Sequence, residues 1–153
     1  VLEQCKEDDV IENVKAIREF AGDRAVLRAF HFFEENKRVD AEVEALEKKD
    51  FATFFNKITE SGDSSWKWLQ NCFTTSNNAE QGITVALALT KLYLDKIGRG
   101  VCRVHGGGFA GVIAAFLPKE ETEGFTKYID KALGEGSAYV MHIRPQGAVK
   151  VEF

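Results

Sequence analysis

Four glycines within six residues are the densest chemical signal in this chain of 153 residues. Gly106, Gly107 and Gly108 are consecutive, Phe109 and Ala110 follow, and Gly111 closes the run. The spacing formally matches Gly-x-Gly-x-x-Gly. That dinucleotide fingerprint needs a strand before it, a helix after it and an acid about 20 positions further on. Here Val112 to Leu117 is a strand-like apolar run ended by Pro118, and Asp130, the acid near that distance, falls inside a predicted helix. The context argues against a Rossmann site, and no Gly-x-x-x-x-Gly-Lys-Ser/Thr loop occurs anywhere. What remains is a strand, a glycine loop and a strand. Glycines there permit positive φ in a tight hairpin, and they let the backbone approach a ligand or a neighbouring loop with no Cβ in the way. Two glycines suffice for a turn, so three plus Gly111 favour close approach over a merely structural hairpin. Lys96, Arg99, Arg103 and Lys119 flank the loop with no carboxylate between 96 and 119, which suits a nearby anion. His105 reads as a backbone-packing residue rather than a catalytic one.

Other reactive side chains are sparse. Cys5, Cys72 and Cys102 are odd in number and far apart. They predict thiols in a reducing cytosol, not a disulfide framework or a zinc site. A cysteine nucleophile paired with His31, His105 or His142 has no local support. Residues 1–60 hold 15 carboxylates against 10 Lys/Arg, and residues 61–153 hold 9 against 10. An acidic chain with no basic stripe is a poor nucleic-acid binder. No apolar run approaches the roughly 18 residues of a membrane span. The length predicts a single domain. The only methionine is Met141, and Val1-Leu2-Glu3-Gln4-Cys5 is neither a translation start nor a signal peptide. The expectation is a removed N-terminus or a piece of a longer protein.

The elements that must position the loop follow from periodicity. Val10, Ile11, Val14, Ile17 and Phe20-Ala21 predict a helix that stops at Gly22. Asp23 is placed to cap a second helix through Ala25, Leu27, Phe30 and Phe33, continued by Val39, Val43 and Leu46 as one helix or a pair. Asp50 is placed to cap a helix through Phe51, Phe54, Phe55 and Ile58, ending near Gly62. Ser61 to Ser65 reads as a loop by composition, Trp66 to Phe73 as a short helix, and Thr74 to Asn78 as a break. Ile83, Ala86, Leu87, Thr90, Leu92-Tyr93 and Ile97 form the strongest helix, closed by Gly98. Gly100 to Val104 predicts a strand. A helix over 120–133 places Phe125, Tyr128, Ile129 and Ala132 on one face, with Gly134 as its stop. Ala138 to Ile143 and Ala148 to Phe153 predict two further strands around a turn at Pro145-Gln146-Gly147. Helices first and a small sheet later mean α+β, with the helices on one face of the sheet.

At these residues the chain resembles a known family. Cys102-Arg103-Val104-His105-Gly106-Gly107-Gly108-Phe109-Ala110-Gly111 resembles the third conserved motif of the GHMP-type small-molecule kinases, in the form found in bacterial galactokinases. Arg28 to Val39 is similar to a helix of that family that reads as a His, a Glu and an Arg-Val pair. Ala45-Leu46 with Asp50-Phe51 matches the next helix start, and Glu60-Ser61-Gly62-Asp63-Ser64-Ser65 its Glu-Ser…Ser segment. Asn71 to Gln81, then Gly82 and the long helix, continue in register, as does the end through Ile143-Arg144-Pro145.

The resemblance implies that residues 1–153 form the C-terminal domain of such a kinase. The implied fold is a ferredoxin-like two-layer α+β domain, with N-terminal helices packed on a small, mainly antiparallel sheet. The family's first two motifs and its catalytic Asp and Arg belong to an N-terminal catalytic domain absent from this chain, so no catalytic residue and no metal ligand carries over. Only Gly106, Gly107, Gly108 and Phe109 do, as a loop supporting the phosphate loop and substrate. The implied reaction is phosphorylation of the anomeric hydroxyl of galactose. ATP and Mg are bound mainly by the absent domain. Expected partners are galactose, ATP and the N-terminal domain, with no nucleic acid and no membrane, in the cytoplasm. The chain alone is expected to be inactive. The alternatives are a non-enzymatic galactokinase-like sensor, a ferredoxin-like ligand-binding module, or a structural interaction domain that no ligand stabilises. Ser61 to Ser65 would border the interdomain cleft in the family reading, or be a solvated connection in the plainer one. Trp66 and Trp68, two apart, predict one packed and one surface indole. Phe109 and Trp66 are candidates for interdomain surface.

Overall fold

The computed structural model describes residues 4–109, 111–147 and 149–150. It divides into two compact units, one running to Pro118 and one starting at Lys119. Among the described residues the fold is α+β, with six α-helices and one two-stranded antiparallel sheet.

The first unit opens with α1 (Glu7–Glu12) and α2 (Val14–Ala21). The single helix expected through this region is broken at Asn13, whose side-chain amide donates to the Asp9 carbonyl at 2.8 Å. Such a local bond competes with helix continuation. Gly22, at φ 82°, then reverses the chain into α3 (Asp23–Glu47), one continuous helix of 25 residues. Asp23 is not its cap. It occupies the first helical position, where a carboxylate favours the helix dipole, and it accepts from Arg18 Nε at 2.5 Å. Val10, Val26 and Ala29 are buried together, with Val14, Ile17, Phe30 and Phe33 against them. Val39, Val43 and Leu46 continue the apolar period but remain about half exposed.

Asp50 does cap α4 (Phe51–Ser64), accepting from the Thr53 backbone N–H at 3.1 Å. The helix runs through Gly62 rather than ending there. A Cβ on Gly62 would lie 3.0 Å from Arg103 Cβ, so this glycine marks a close crossing with a strand and not a stop. The expected loop at Ser61 to Ser65 is therefore helix, and Ser61, Ser64 and Ser65 are buried. A π-helical turn (Ser65–Leu69) follows, ended by Gln70 in the left-handed region at φ 55°.

The helix α5 (Gly82–Ile97) buries Ile83, Leu87, Thr90 and Leu94 and is closed by left-handed Gly98. Leu92, expected inside, is exposed. β1 (Val101–His105) and β2 (Val112–Phe116) form a hairpin with Arg103 opposite Ala114. Helices α4 and α5 pack on β1. Cys72, Ile83, Leu87 and Val104 make the buried cluster beneath the hairpin, lined by Phe73, Cys102 and Ile113. The glycine loop leaves β1 from this anchored end.

The second unit consists of a 3-10 turn (Lys119–Glu121) and α6 (Thr122–Leu133), stopped at Gly134 with φ 111°. Ile129 is buried, Phe125 and Tyr128 are partly so, and Ala132 is exposed. The strand expected over Ala138 to Ile143 does not form. Tyr139, Val140, Met141 and Ile143 are exposed, and the Ala138 N–H bonds to the Asp130 carboxylate at 3.1 Å. A short apolar run rich in β-formers proposes a strand, but only a hydrogen-bonded neighbour makes one. Most of the last expected strand, Ala148 to Phe153, lies outside the described residues.

Candidate functional site

Gly106, Gly107 and Gly108 follow the last residue of β1 and begin the connection to β2. The expectation of close approach is met at one position in particular. Gly108 has φ 76°, and a Cβ there would lie 2.8 Å from Asn71 Cβ and Cγ and closer still to the Asn71 carbonyl oxygen. No other residue type fits that position without displacing one of the two segments. Gly107 is the opposite case, since a Cβ on it would meet nothing within 4 Å. The next residue, Phe109, holds φ 61° without being glycine, and the residue is 46% exposed. Left-handed backbone at a bulky residue costs on the order of 1–3 kcal/mol and persists only where its surroundings enforce it.

The enforcing contact is Asn71. Its carbonyl accepts from the Phe109 N–H at 2.6 Å, and its side-chain amide donates to the Gly107 carbonyl at 3.3 Å. The π-helical turn delivers Asn71 to this place, with Gln70 N–H bonded to the Ser65 carbonyl at 2.7 Å. Nothing in the residue types signals this. Asn71 falls within Trp66 to Phe73, read from sequence as a short helix, but it lies just past the π turn, outside any helix, and it is buried.

Behind the hairpin, separate sequence segments converge. Glu35 on α3 accepts from Arg38 Nε at 2.9 Å, from Arg103 Nη1 on β1 at 3.3 Å, and from the Ser61 hydroxyl on α4. Arg103 also donates to Ser61 Oγ and, through Nε, to the Val104 carbonyl at 3.0 Å. One turn along each helix, His31 Nδ1 and Ser64 Oγ share a hydrogen bond of 2.9 Å. Glu35, Arg38, Ser61 and Arg103 thus form one polar network, with the His31–Ser64 pair beside it on the same two helices. Burial alone would raise the Glu35 pKa, but hydrogen bonds from Ser61 and Arg38 and the charge of Arg103 outweigh it and hold the carboxyl below its usual range. Glu35 is an ionised tie among three elements. Arg103, counted in sequence among cations available to an anion, is committed to this tie instead.

Burial pushes His31 below the ordinary histidine value, Glu35 pulls it back, and Arg38 and Arg103 push it down further. A histidine held neutral in the fold is protonated first in the unfolded chain, so its contribution is present above the ordinary value of 6.5 and is lost as pH falls. Stability is expected to decline between about pH 7 and pH 5, with a shallower decline in His31→Gln; urea unfolding at the two pH values measures both. Parallel slopes in the two proteins contradict this.

Burial raises the thiols of Cys72 and Cys102, which argues against a thiolate nucleophile at either. Trp66 and Trp68 are 38% and 37% exposed, so the expected division into one packed and one surface indole is absent. Among the described residues no group of three His, Cys, Asp or Glu side chains is placed to hold a metal ion. The loop itself offers backbone and one aromatic ring, a donor set suited to contact with a substrate or phosphate and not to holding Mg.

No family model matches the chain. The chain is 29% identical over 141 residues to a galactokinase of Haemophilus influenzae (strain PittGG), a match covering 83% of this chain. Its similarity is to a galactokinase. The match spans about a third, 34%, of that relative's length. No helix among the described residues is long and apolar enough to cross a membrane.

Proposed function

We propose that this chain is the C-terminal, ferredoxin-like GHMP domain of a galactokinase-type enzyme of the cytoplasm. Its reaction is transfer of the ATP γ-phosphoryl group to the anomeric hydroxyl of galactose. The observation that carries the reading is the glycine loop. Gly107 offers open backbone, Phe109 offers an exposed ring, and both are held rigidly from behind by Asn71. Similarity to a galactokinase over most of the chain supports it independently.

The division of labour follows from the chemistry. Phosphoryl transfer depends on positioning and charge stabilisation around the nucleotide. Gly106, Gly107, Gly108 and Phe109 supply shape and a rigid wall on the substrate side. They carry no base and no metal ligand, so the catalytic groups and the sites for ATP and Mg belong to the rest of a longer protein. The test is ADP release with ATP, Mg and a panel of small sugars. The full-length protein is expected to release ADP in the presence of galactose, and the present chain alone to stay at the no-enzyme rate. ADP release by the chain alone overturns the supporting role. Galactose binding by the full-length protein without ADP release overturns the enzyme in favour of a sensor.

A further inference from the structure

Two uncommon backbone features meet at one residue. The π-helical turn Ser65–Leu69 ends in left-handed Gln70, and the glycine loop contains left-handed Phe109. Single-turn π segments and strained non-glycine residues both concentrate at functional sites, because each costs stability that packing alone does not return. Asn71 joins them. Its backbone accepts from Phe109, its side chain donates to Gly107, and both ends of the contact belong to the first unit.

We propose that Asn71 is a positioning residue for the site. It latches Gly107 to Phe109 in the strained shape that presents the Phe109 ring and the open Gly107 backbone to substrate. The inference rests on the kinase reading for its effect on rate, and on geometry alone for its effect on the loop. The side-chain half of the latch is removable. In Asn71→Ala the carbonyl still accepts from Phe109, but the Gly107 carbonyl loses its donor. Asn71 is nearly enclosed, at 3% exposure, whereas Gly107 is exposed, so the lost bond is expected to loosen the loop's shape more than to lower the stability of the fold.

The experiment uses the full-length protein and two readouts. Asn71→Ala is expected to lower kcat about tenfold while KM for sugar and for ATP changes less than about twofold. Amide hydrogen exchange is expected to quicken at Gly107 to Phe109 and to stay unchanged in α3 and α5. Asn71→Asp guards against a merely misfolded variant. Its carboxyl donates to the Gly107 carbonyl only when protonated, so its activity relative to wild type is expected to rise as pH falls. Wild-type kcat in Asn71→Ala overturns the proposal, whether or not exchange quickens. A loss of kcat with exchange quickened throughout α3 and α5, and no recovery of Asn71→Asp at low pH, overturns it as well. Wild-type protein that releases no ADP with any sugar overturns the kinase reading, and loop exchange in Asn71→Ala then decides the latch by itself.

Discussion

Gly108→Ala is expected to destabilise the protein by about 3 kcal/mol, whereas Gly107→Ala one residue earlier is expected to stay within about 0.5 kcal/mol of wild type. Two costs add at Gly108. An alanine at φ 76° is strained by itself, and its methyl group would overlap the Asn71 side chain and carbonyl. Relief by moving Asn71 would break its bonds to Phe109 and Gly107 and disturb the neighbouring Cys72, which is buried with Ile83, Leu87 and Val104. At Gly107 neither cost arises, because φ is not in the left-handed region and the space is open. Urea unfolding of the two variants is the measurement. Equal midpoints for Gly108→Ala and Gly107→Ala would sink the assignment of close approach to position 108.

Glu35→Ala carries the second large effect, a loss of about 3 kcal/mol. The Arg38 side chain is only 9% exposed and one of its terminal nitrogens already has no partner. Removing Glu35 leaves that guanidinium without its carboxylate, frees Arg103 from its tie and strips the buried Ser61 hydroxyl of its acceptor. An unpaired buried charge is the expensive outcome, more so than the loss of the pair's mutual attraction. The pH dependence has a definite sign. The Glu35 carboxyl titrates below its ordinary value of 4.5 in the fold, so its contribution is complete above 4.5 and is lost as pH falls through the lowered folded value. The stability gap between wild type and Glu35→Ala should therefore narrow under acid. A gap that is unchanged on acidification below the carboxylate range, or already near zero at neutral pH, would show that Glu35 is not the ionised tie.

Both effects concern the same piece of structure. The glycine loop is fixed from one side by Asn71 and, through β1, from the other by the network of Arg103, Glu35 and Ser61. That double anchoring suits a supporting wall, since a loop made of glycine is otherwise the least ordered backbone a chain can offer. Rigidity here comes from neighbours distant in sequence, not from the loop's own residues.

What was legible in the sequence was local. Apolar recurrence at three and four residues marked α5 and most of α3 and α6, and Asp50 marked the start of α4. The glycine cluster between two apolar runs marked the β1–β2 hairpin and its candidate loop. Each of these depends on residues within about one or two turns of one another, so periodicity and caps suffice. What the tertiary structure alone decided was long-range. Ser61 to Ser65 has the composition of a solvated loop, but partners on α3 and β1 satisfy Ser61 and Ser64, and that allows them to be buried in helix. Gly62 has the look of a helix stop, but a strand crosses it. Ala138 to Ile143 has the apolar composition of a strand, but among the described residues no strand pairs with it. Asn71 begins a segment in register with the family resemblance, but its residue type does not signal its role, which consists of hydrogen bonds to Gly107 and Phe109 on a loop distant in sequence. The residue types of this chain set which segments were able to fold locally; buried polar partners and close backbone crossings, which exist only once the segments meet, decided which of those local forms survived.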